Sequence, residues 1–218
     1  MTAFDAATEA RVSDLVLGDR RHGLPADVTD ARFWDEMYDS REQIFSGNPN
    51  PVLVTEISGL TPGRALDVGC GEGADAVWLA GQGWQVTGVD IARTAIDRAA
   101  RRDSRVTWVH ADWTVTPPHA EAFDLVTVHF VPIPRRHARN LIDAVAPGGT
   151  LLVTGHDLSD LPAGHIPGFD PADYVEPAAL AEQLGDGWTV LVDEKRRRAP
   201  DATPHTHDRV LRATRDPI

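Results

Sequence analysis

The sequence predicts an α/β fold, an open sheet wound on both faces by helices, on three observations. Short apolar runs alternate with amphipathic helical segments from Arg64 onward, the first run opens into glycines at Gly69, Gly71 and Gly73, and the second closes on an acid, Asp90. Strand, glycine-rich turn, helix, strand and acid make a nucleotide-binding βαβ unit. Its turn needs positive φ and close ligand approach, which a Cβ would block. A carboxylate at the end of the second strand suits a ribose diol, because it can accept from both hydroxyls.

Taken in order, residues 5–17 predict a weak amphipathic helix ended by Gly18, and residues 19–29 a loop. Thr29 or Asp30 caps a helix that carries Phe33, Trp34, Met37 and Tyr38 on one face, either as a staple to the core or as pocket lining. Residues 46–51 have the Gly, Asn and Pro content of a hinge, and a helix follows up to Gly59. The first strand, 64–68, is continuously apolar, as a central parallel strand buried on both faces should be. A crossover helix covers 75–80, a second strand 84–90, and a second crossover helix 91–102 with Ala92, Ala95, Ile96 and Ala99 as its buried stripe.

A third strand, 106–110, runs into Asp112 and Trp113, and a fourth, 123–128, into His129 and Phe130. Pro134 opens a helix through 146 with Leu141, Ile142 and Val145 facing inward, and Pro147-Gly148-Gly149 stops it. The fifth strand, 150–154, delivers Gly155, His156 and Asp157. Residues 157–173 are too rich in Pro and Gly for a helix, so a long loop leaves the carboxyl end of that strand, where function concentrates. A short helix, 177–184, and two strands, 188–194 and 207–213, complete the chain.

Composition narrows the function. The 218 residues suffice for one domain with a full core, and a formal net charge of -12 argues against a nucleic-acid groove, which needs concentrated positive charge. The clusters at Arg101-Arg102, Arg135-Arg136 and Arg196-Arg197-Arg198 are short and scattered and read as solvated helix ends and an edge strand. A single cysteine, Cys70, excludes an internal disulfide and fits a reducing compartment; set between glycines, it reads as a small packing residue. With no leader-like N-terminus and no run long enough to span a bilayer, a cytoplasmic protein with no membrane or nucleic-acid partner is expected, as monomer or homodimer. Lys195 is the only lysine, so Schiff-base chemistry has one candidate in an unpromising context.

The glycines alone fit two patterns, Gly69-x-Gly71-x-x-Ala74 of dinucleotide sites and Asp67-x-Gly69-x-Gly71-x-Gly73. Four features together separate them: Asp67 before the glycines, Asp90 after strand two, Asp112 after strand three, and Pro147-Gly148-Gly149 before strand five. This set resembles the class I S-adenosylmethionine-dependent methyltransferases over roughly residues 30–215. The resemblance implies a Rossmann-like, seven-stranded, mostly parallel sheet in the order 3-2-1-4-5-7-6 with strand seven antiparallel. It implies residues 61–218 as the core, residues 1–60 as a helical lid, and S-adenosyl-L-methionine as cofactor, with S-adenosyl-L-homocysteine as product. Asp67 would orient the methionine amino group, and the backbone of Gly69, Cys70, Gly71 and Gly73 would receive the methionine moiety. Asp90 would hold the ribose hydroxyls, and Asp112 the adenine amino group, with Ile91 or Trp113 covering the ring. His129 would lie beside the sulfonium. Such a ligand, bearing an ammonium and a sulfonium, favours carboxylates and aromatic faces. Helix capping is the alternative reading of Asp90 and Asp112.

The segment FWDEMYDS…FSGNPNP is similar to that of the thiopurine and tellurite (TehB-like) methyltransferases, small-molecule enzymes. By that resemblance Trp34 and Phe45 would cover the methionine end, and the acceptor would be an S, O, N or chalcogen atom. His129 and His156, ending neighbouring strands, are the candidate catalytic bases, with His165, His205 and His207 on loops that could reach the same mouth. A metal site from His129, His156 and Asp157 has no tight ligand spacing behind it, and no metal is expected. Two other readings stay open: an NAD(P)-dependent oxidoreductase, which lacks a Tyr-x-x-x-Lys pair here, and a non-catalytic S-adenosylmethionine-binding regulator.

Overall fold

The computed structural model describes residues 30–157, 159, 170–197 and 206–217. In chain order its elements are α1 (Ala31–Asp39), α2 (Pro51–Glu56), β1 (Arg64–Val68), α3 (Ala74–Gly81), β2 (Gln85–Asp90), α4 (Arg93–Arg102), β3 (Thr107–His110) and β4 (Phe123–His129). Then follow α5 (Ala138–Ala144), β5 (Val145–His156), α6 (Pro177–Ala181), β6 (Trp188–Arg197) and β7 (His207–Arg215). The strands form one sheet in the order β3-β2-β1-β4-β5-β7-β6. Pairing is parallel from β3 to β5, and β7 runs antiparallel to both β5 and β6. Order and strand directions match those the resemblance implied.

Apolar residues alternate between the two faces of every central strand. Leu66, Val68, Val126, Val128, Leu151, Val153 and Leu211 pack with Leu141 and Ile142 of α5 in one cluster. Ala65, Leu125, Leu152 and Val210 pack with Leu53 of α2 and Leu79 of α3 in the other. Burying each large side chain contributes about 1.5–3 kcal/mol, which is why these strands carry apolar residues at both parities. The stripe predicted on α4 is buried as expected, with Ala95 and Ala99 fully covered.

Several boundaries differ from expectation: the helix expected from Pro134 is α-helical only from Ala138, that expected over 177–184 ends at Ala181, and the last two strands run on to Arg197 and Arg215. Both ends of β5 differ for a backbone reason. The helix expected to reach residue 146 ends at Ala144, and β5 begins at Val145 and passes through Pro147-Gly148-Gly149. Val145 pairs with Phe123 while Thr150 pairs with Leu125, so residues 146–149 bulge from the ladder where Pro147 has no N–H and Gly148 takes φ +77°. At the other end β5 continues to His156, because β7 pairs with it residue by residue up to His156 and Asp208. The predicted helix at 5–17, the loop at 19–29, His165 and His205 lie outside the described residues.

The arginine clusters are not merely solvated. Arg196 of β6 pairs with Glu194 and with buried Glu56 of α2, both at 2.5 Å, and Arg212 reaches the same Glu56 at 3.3 Å. Arg135 donates to the carbonyls of Ala172 and Tyr174 at 3.1 and 2.9 Å, tying the chain after β4 to the segment before α6.

Candidate cofactor and active site

The carboxyl ends of β1, β2 and β4 converge on the glycine turn. Gly69, Gly71 and Gly73 take φ of +68°, +53° and +82°, and the turn is held to β2 where the N–H groups of Gly69 and Cys70 donate to the Val89 carbonyl at 2.8 and 3.0 Å. A Cβ on Gly69 would run into Val131, one on Gly73 into the Trp108 ring, and one on Gly71 would lie 2.8 Å from the Tyr38 hydroxyl. Glycine is required at all three for space as well as for φ. Cys70 is buried, and desolvation raises its thiol pKa. That makes it a packing group rather than a nucleophile.

Three carboxylates surround this turn. Asp67 is 2% exposed; its Oδ1 accepts from the Thr127 hydroxyl at 3.2 Å, and its buried Oδ2 has no hydrogen-bond partner among the described residues. Burial pushes its carboxyl well above the usual range, and the charges of Asp75 and Asp90 push the same way. Asp75 accepts from the Asn50 N–H at 2.6 Å, yet burial lifts it to about 6. Asp90 is raised by burial too, although it accepts from the N–H groups of Gly71 and Ala92, both at 2.8 Å. Asp90 therefore steadies the turn and the start of α4 at once, and a carboxylate so engaged keeps lone pairs for a ligand.

Asp112 is half-buried and binds the Thr114 N–H and hydroxyl at 2.8 and 2.7 Å through one oxygen. Trp113 packs in the main core with Leu66, Val89 and Val128, while Ile91 is half-buried, so Ile91 is the more open of the two side chains expected over an adenine ring.

Over the turn lies a strap from α1 to α2. Asp30 caps α1 by accepting from the Arg32 N–H at 2.9 Å. Tyr38 and Phe45 meet edge to face with centroids 6.1 Å apart, both against Gly71, and Trp34 sits edge-on to Phe33 at 5.4 Å. The strap is latched by residues that the sequence reading passed over. Buried Glu72 accepts from the N–H groups of Ile44 and Phe45 at 3.2 and 3.1 Å and from Arg98 at 2.9 Å. Arg98 also donates to the carbonyls of Tyr38 and Arg41 at 2.8 and 2.7 Å, and Arg102 joins the carbonyls of Glu72 and Gly47, both at 3.1 Å. The available signal was Glu72 itself, an acid between two obligatory glycines.

The histidines end β4 and β5 at the same edge. Both ring nitrogens of His129 are buried without a partner among the described residues, and burial holds its pKa down to about 3, so the ring is a neutral imidazole near pH 7. Phe130 takes φ +57°, donates its N–H to the Thr154 carbonyl at 2.8 Å, and lays its ring 4.6 Å from that of His156. His156 directs Nδ1 to Asp208 Oδ1 at 3.1 Å. His156 therefore packs against Phe130 at this edge. Asp157 is engaged by Lys195 at 2.7 Å and Arg209 at 3.3 Å. His207 opens β7, its ring 2.7 Å from the Thr206 hydroxyl. Among the described residues no group of three His, Cys, Asp or Glu side chains is placed to hold a metal ion. A cavity of about 320 Å³ among Arg139, Pro147, Leu184, Trp188 and Arg215 opens at the opposite sheet edge.

The sequence model of the methyltransferase domain family matches residues 65–149, from β1 into β5. Over 156 residues the chain is 31% identical to the 2-heptyl-1-hydroxyquinolin-4(1H)-one methyltransferase of Mycobacteroides abscessus, covering 66% of this chain and 67% of that one. The chain is a class I S-adenosylmethionine-dependent methyltransferase. Two solved structures share the fold. The N-methyltransferase NodS of Bradyrhizobium japonicum, in complex with S-adenosyl-L-homocysteine, superposes with a TM-score of 0.65 at 20% identity, covering 87% of this chain and 99% of that one. TehB of Haemophilus influenzae superposes at 0.60 and 15% identity, covering 84% and 66%.

S-adenosylmethionine is the methyltransferase's cofactor, and the residues at the turn fit it. Asp67 leaves a buried carboxylate oxygen without a partner among the described residues, beside glycines that admit no Cβ. Three carboxyls raised by desolvation, those of Asp67 and Asp90 buried and that of Asp75 half-buried, favour a cation, and the ligand carries two positive centres. The cofactor supplies an electrophilic methyl group on sulfur, which leaves the protein the tasks of alignment and water exclusion. No described helix is long and apolar enough to cross a membrane.

Proposed function

We propose that this methyltransferase acts in the cytoplasm on a small molecule, methylating a heteroatom borne on an aromatic ring. The observation that carries the reading is the half-buried aromatic end of the site, where the Phe130 and His156 rings pack on each other at the ends of β4 and β5, the edge that the neutral His129 also reaches. A ring-borne O, N or S acceptor is what such a surface stacks and desolvates. The acceptor in the name of the Mycobacteroides relative is a hydroxylated aromatic heterocycle, which supports the same chemistry.

In this reading Asp67 and the backbone of Gly69, Cys70, Gly71 and Gly73 take the methionine end, covered by Trp34 and Phe45. Asp90 takes the ribose hydroxyls, Asp112 the adenine amino group, and Ile91 the ring, Trp113 being packed into the core. His129 lines the methyl position and His156 receives the acceptor's proton. Residues 1–60 act as the lid over a core of 61–218. A dinucleotide fits worse, because its pyrophosphate would meet the buried acids behind the turn. The test is incubation with S-adenosylmethionine and a panel of hydroxyquinolones, catechols, thiols, amines and tellurite, read by mass spectrometry. Methylation of an aromatic hydroxyl, amine or thiol is expected. Cofactor binding with no acceptor methylated would favour the regulator, and binding of NAD(P)H alone would overturn the assignment of the turn.

A further inference from the structure

We infer that Asp208 is the positioning residue for His156, which makes the acceptor one that carries a proton on its attacking atom, a hydroxyl or thiol. The inference rests on the reading of His156 as the base. It is carried by a tertiary contact: β5 and β7 run antiparallel with His156 directly opposite Asp208, and Oδ1 of Asp208 lies 3.1 Å from Nδ1 of His156. Both side chains are largely covered, at 30% and 14% exposed. Phe130, held at φ +57°, packs against the imidazole from β4. The ring is thus held from two strands, and a carboxylate at Nδ1 selects the tautomer with the proton on that nitrogen.

Asp157, the next residue in the chain, is committed to Lys195 of β6 and Arg209 of β7, at 2.7 and 3.3 Å, and to the Ser159 hydroxyl at 2.6 Å. With the proton on Nδ1 the ring's lone pair lies on Nε2. As the acceptor's lone pair forms its bond to the methyl carbon, the carbon–sulfur electron pair returns to sulfur. The acceptor's proton passes to Nε2, and Asp208 offsets the positive charge that the imidazole acquires. An acceptor with no proton to lose would gain nothing from this pair.

The experiment uses the full chain and three variants, His156→Gln, Asp208→Asn and the double variant. Nitrogen NMR of the imidazole reports the tautomer without any acceptor present. The wild type is expected as Nδ1–H, and Asp208→Asn, whose amide can donate to Nδ1, shifts the ring toward Nε2–H. With an acceptor that the wild type methylates, His156→Gln should lower kcat roughly a hundredfold and Asp208→Asn at least about tenfold. KM for the acceptor and calorimetric binding of S-adenosylmethionine should stay unchanged. The double variant should be no worse than His156→Gln. A wild-type Nε2–H tautomer would overturn the inference whichever acceptor is used. Full kcat in Asp208→Asn beside a slow His156→Gln would overturn the role of Asp208 alone, and full kcat in His156→Gln would remove the base reading with it.

Discussion

Asp67, Asp75 and Asp90 are carboxyl groups that the fold shields from water, and their titration links pH to cofactor binding. Burial raises all three, Asp75 to about 6, whereas in the unfolded chain they ionise near 4. Between those values the folded state holds more protons, so the cofactor-free protein loses stability as pH rises from about 4 to about 6. A bound cation favours the ionised forms. The thermal shift produced by S-adenosylmethionine should therefore grow across that window. Melting curves with and without cofactor at about pH 5 and about pH 7.5 check this, and equal shifts would show that the cation does not face these acids. Asp90→Ala removes acceptors from two backbone N–H groups and from the proposed ribose contact. It should weaken S-adenosylmethionine by about 1.5–3 kcal/mol in calorimetry, and unchanged affinity would move the ribose elsewhere.

Among the elements, the strap from α1 to α2 is the part whose attachment is polar. Glu72 and Arg98 tie Ile44, Phe45, Tyr38 and Arg41 to the glycine turn and α4. Glu72→Gln removes the charge that binds Arg98 while nearly keeping the volume. Charge-assisted hydrogen bonds of about 1.5–3 kcal/mol are at stake, so cofactor release should quicken by about tenfold or more in stopped-flow fluorescence. Proteolysis between residues 40 and 50 should speed up with it, and unaltered rates of both would mean that the strap is held by its aromatic side chains alone. The aromatic face of α1 was readable from its spacing, and Met37 and Tyr38 are buried. The latch was not readable, since Arg98 and Arg102 follow the ordinary pattern of a solvated helix face and their partners lie 26 to 60 residues away.

At the scale of the molecule, one sheet with a packed layer on each face makes core residues shared property. Leu152 is fully buried in β5 within the cluster that joins Leu53, Leu79 and Leu125. Leu152→Ala should cost about 2–5 kcal/mol and lower the urea midpoint in a single transition with the slope preserved. A separate early transition would show that one layer unfolds by itself. The fold and the turn acids were present in the chain as written. Parallel strands buried on both faces need unbroken apolar runs, and a turn at positive φ against Val131, Tyr38 and Trp108 admits only glycine, so local sequence had to show both. Tertiary structure alone set Glu72 under the strap, Trp113 in the core, and Asp208 opposite His156 across 52 residues of chain. Those contacts join polar or aromatic side chains from separate strands and helices, and such residues read the same in sequence whether they meet water or one another.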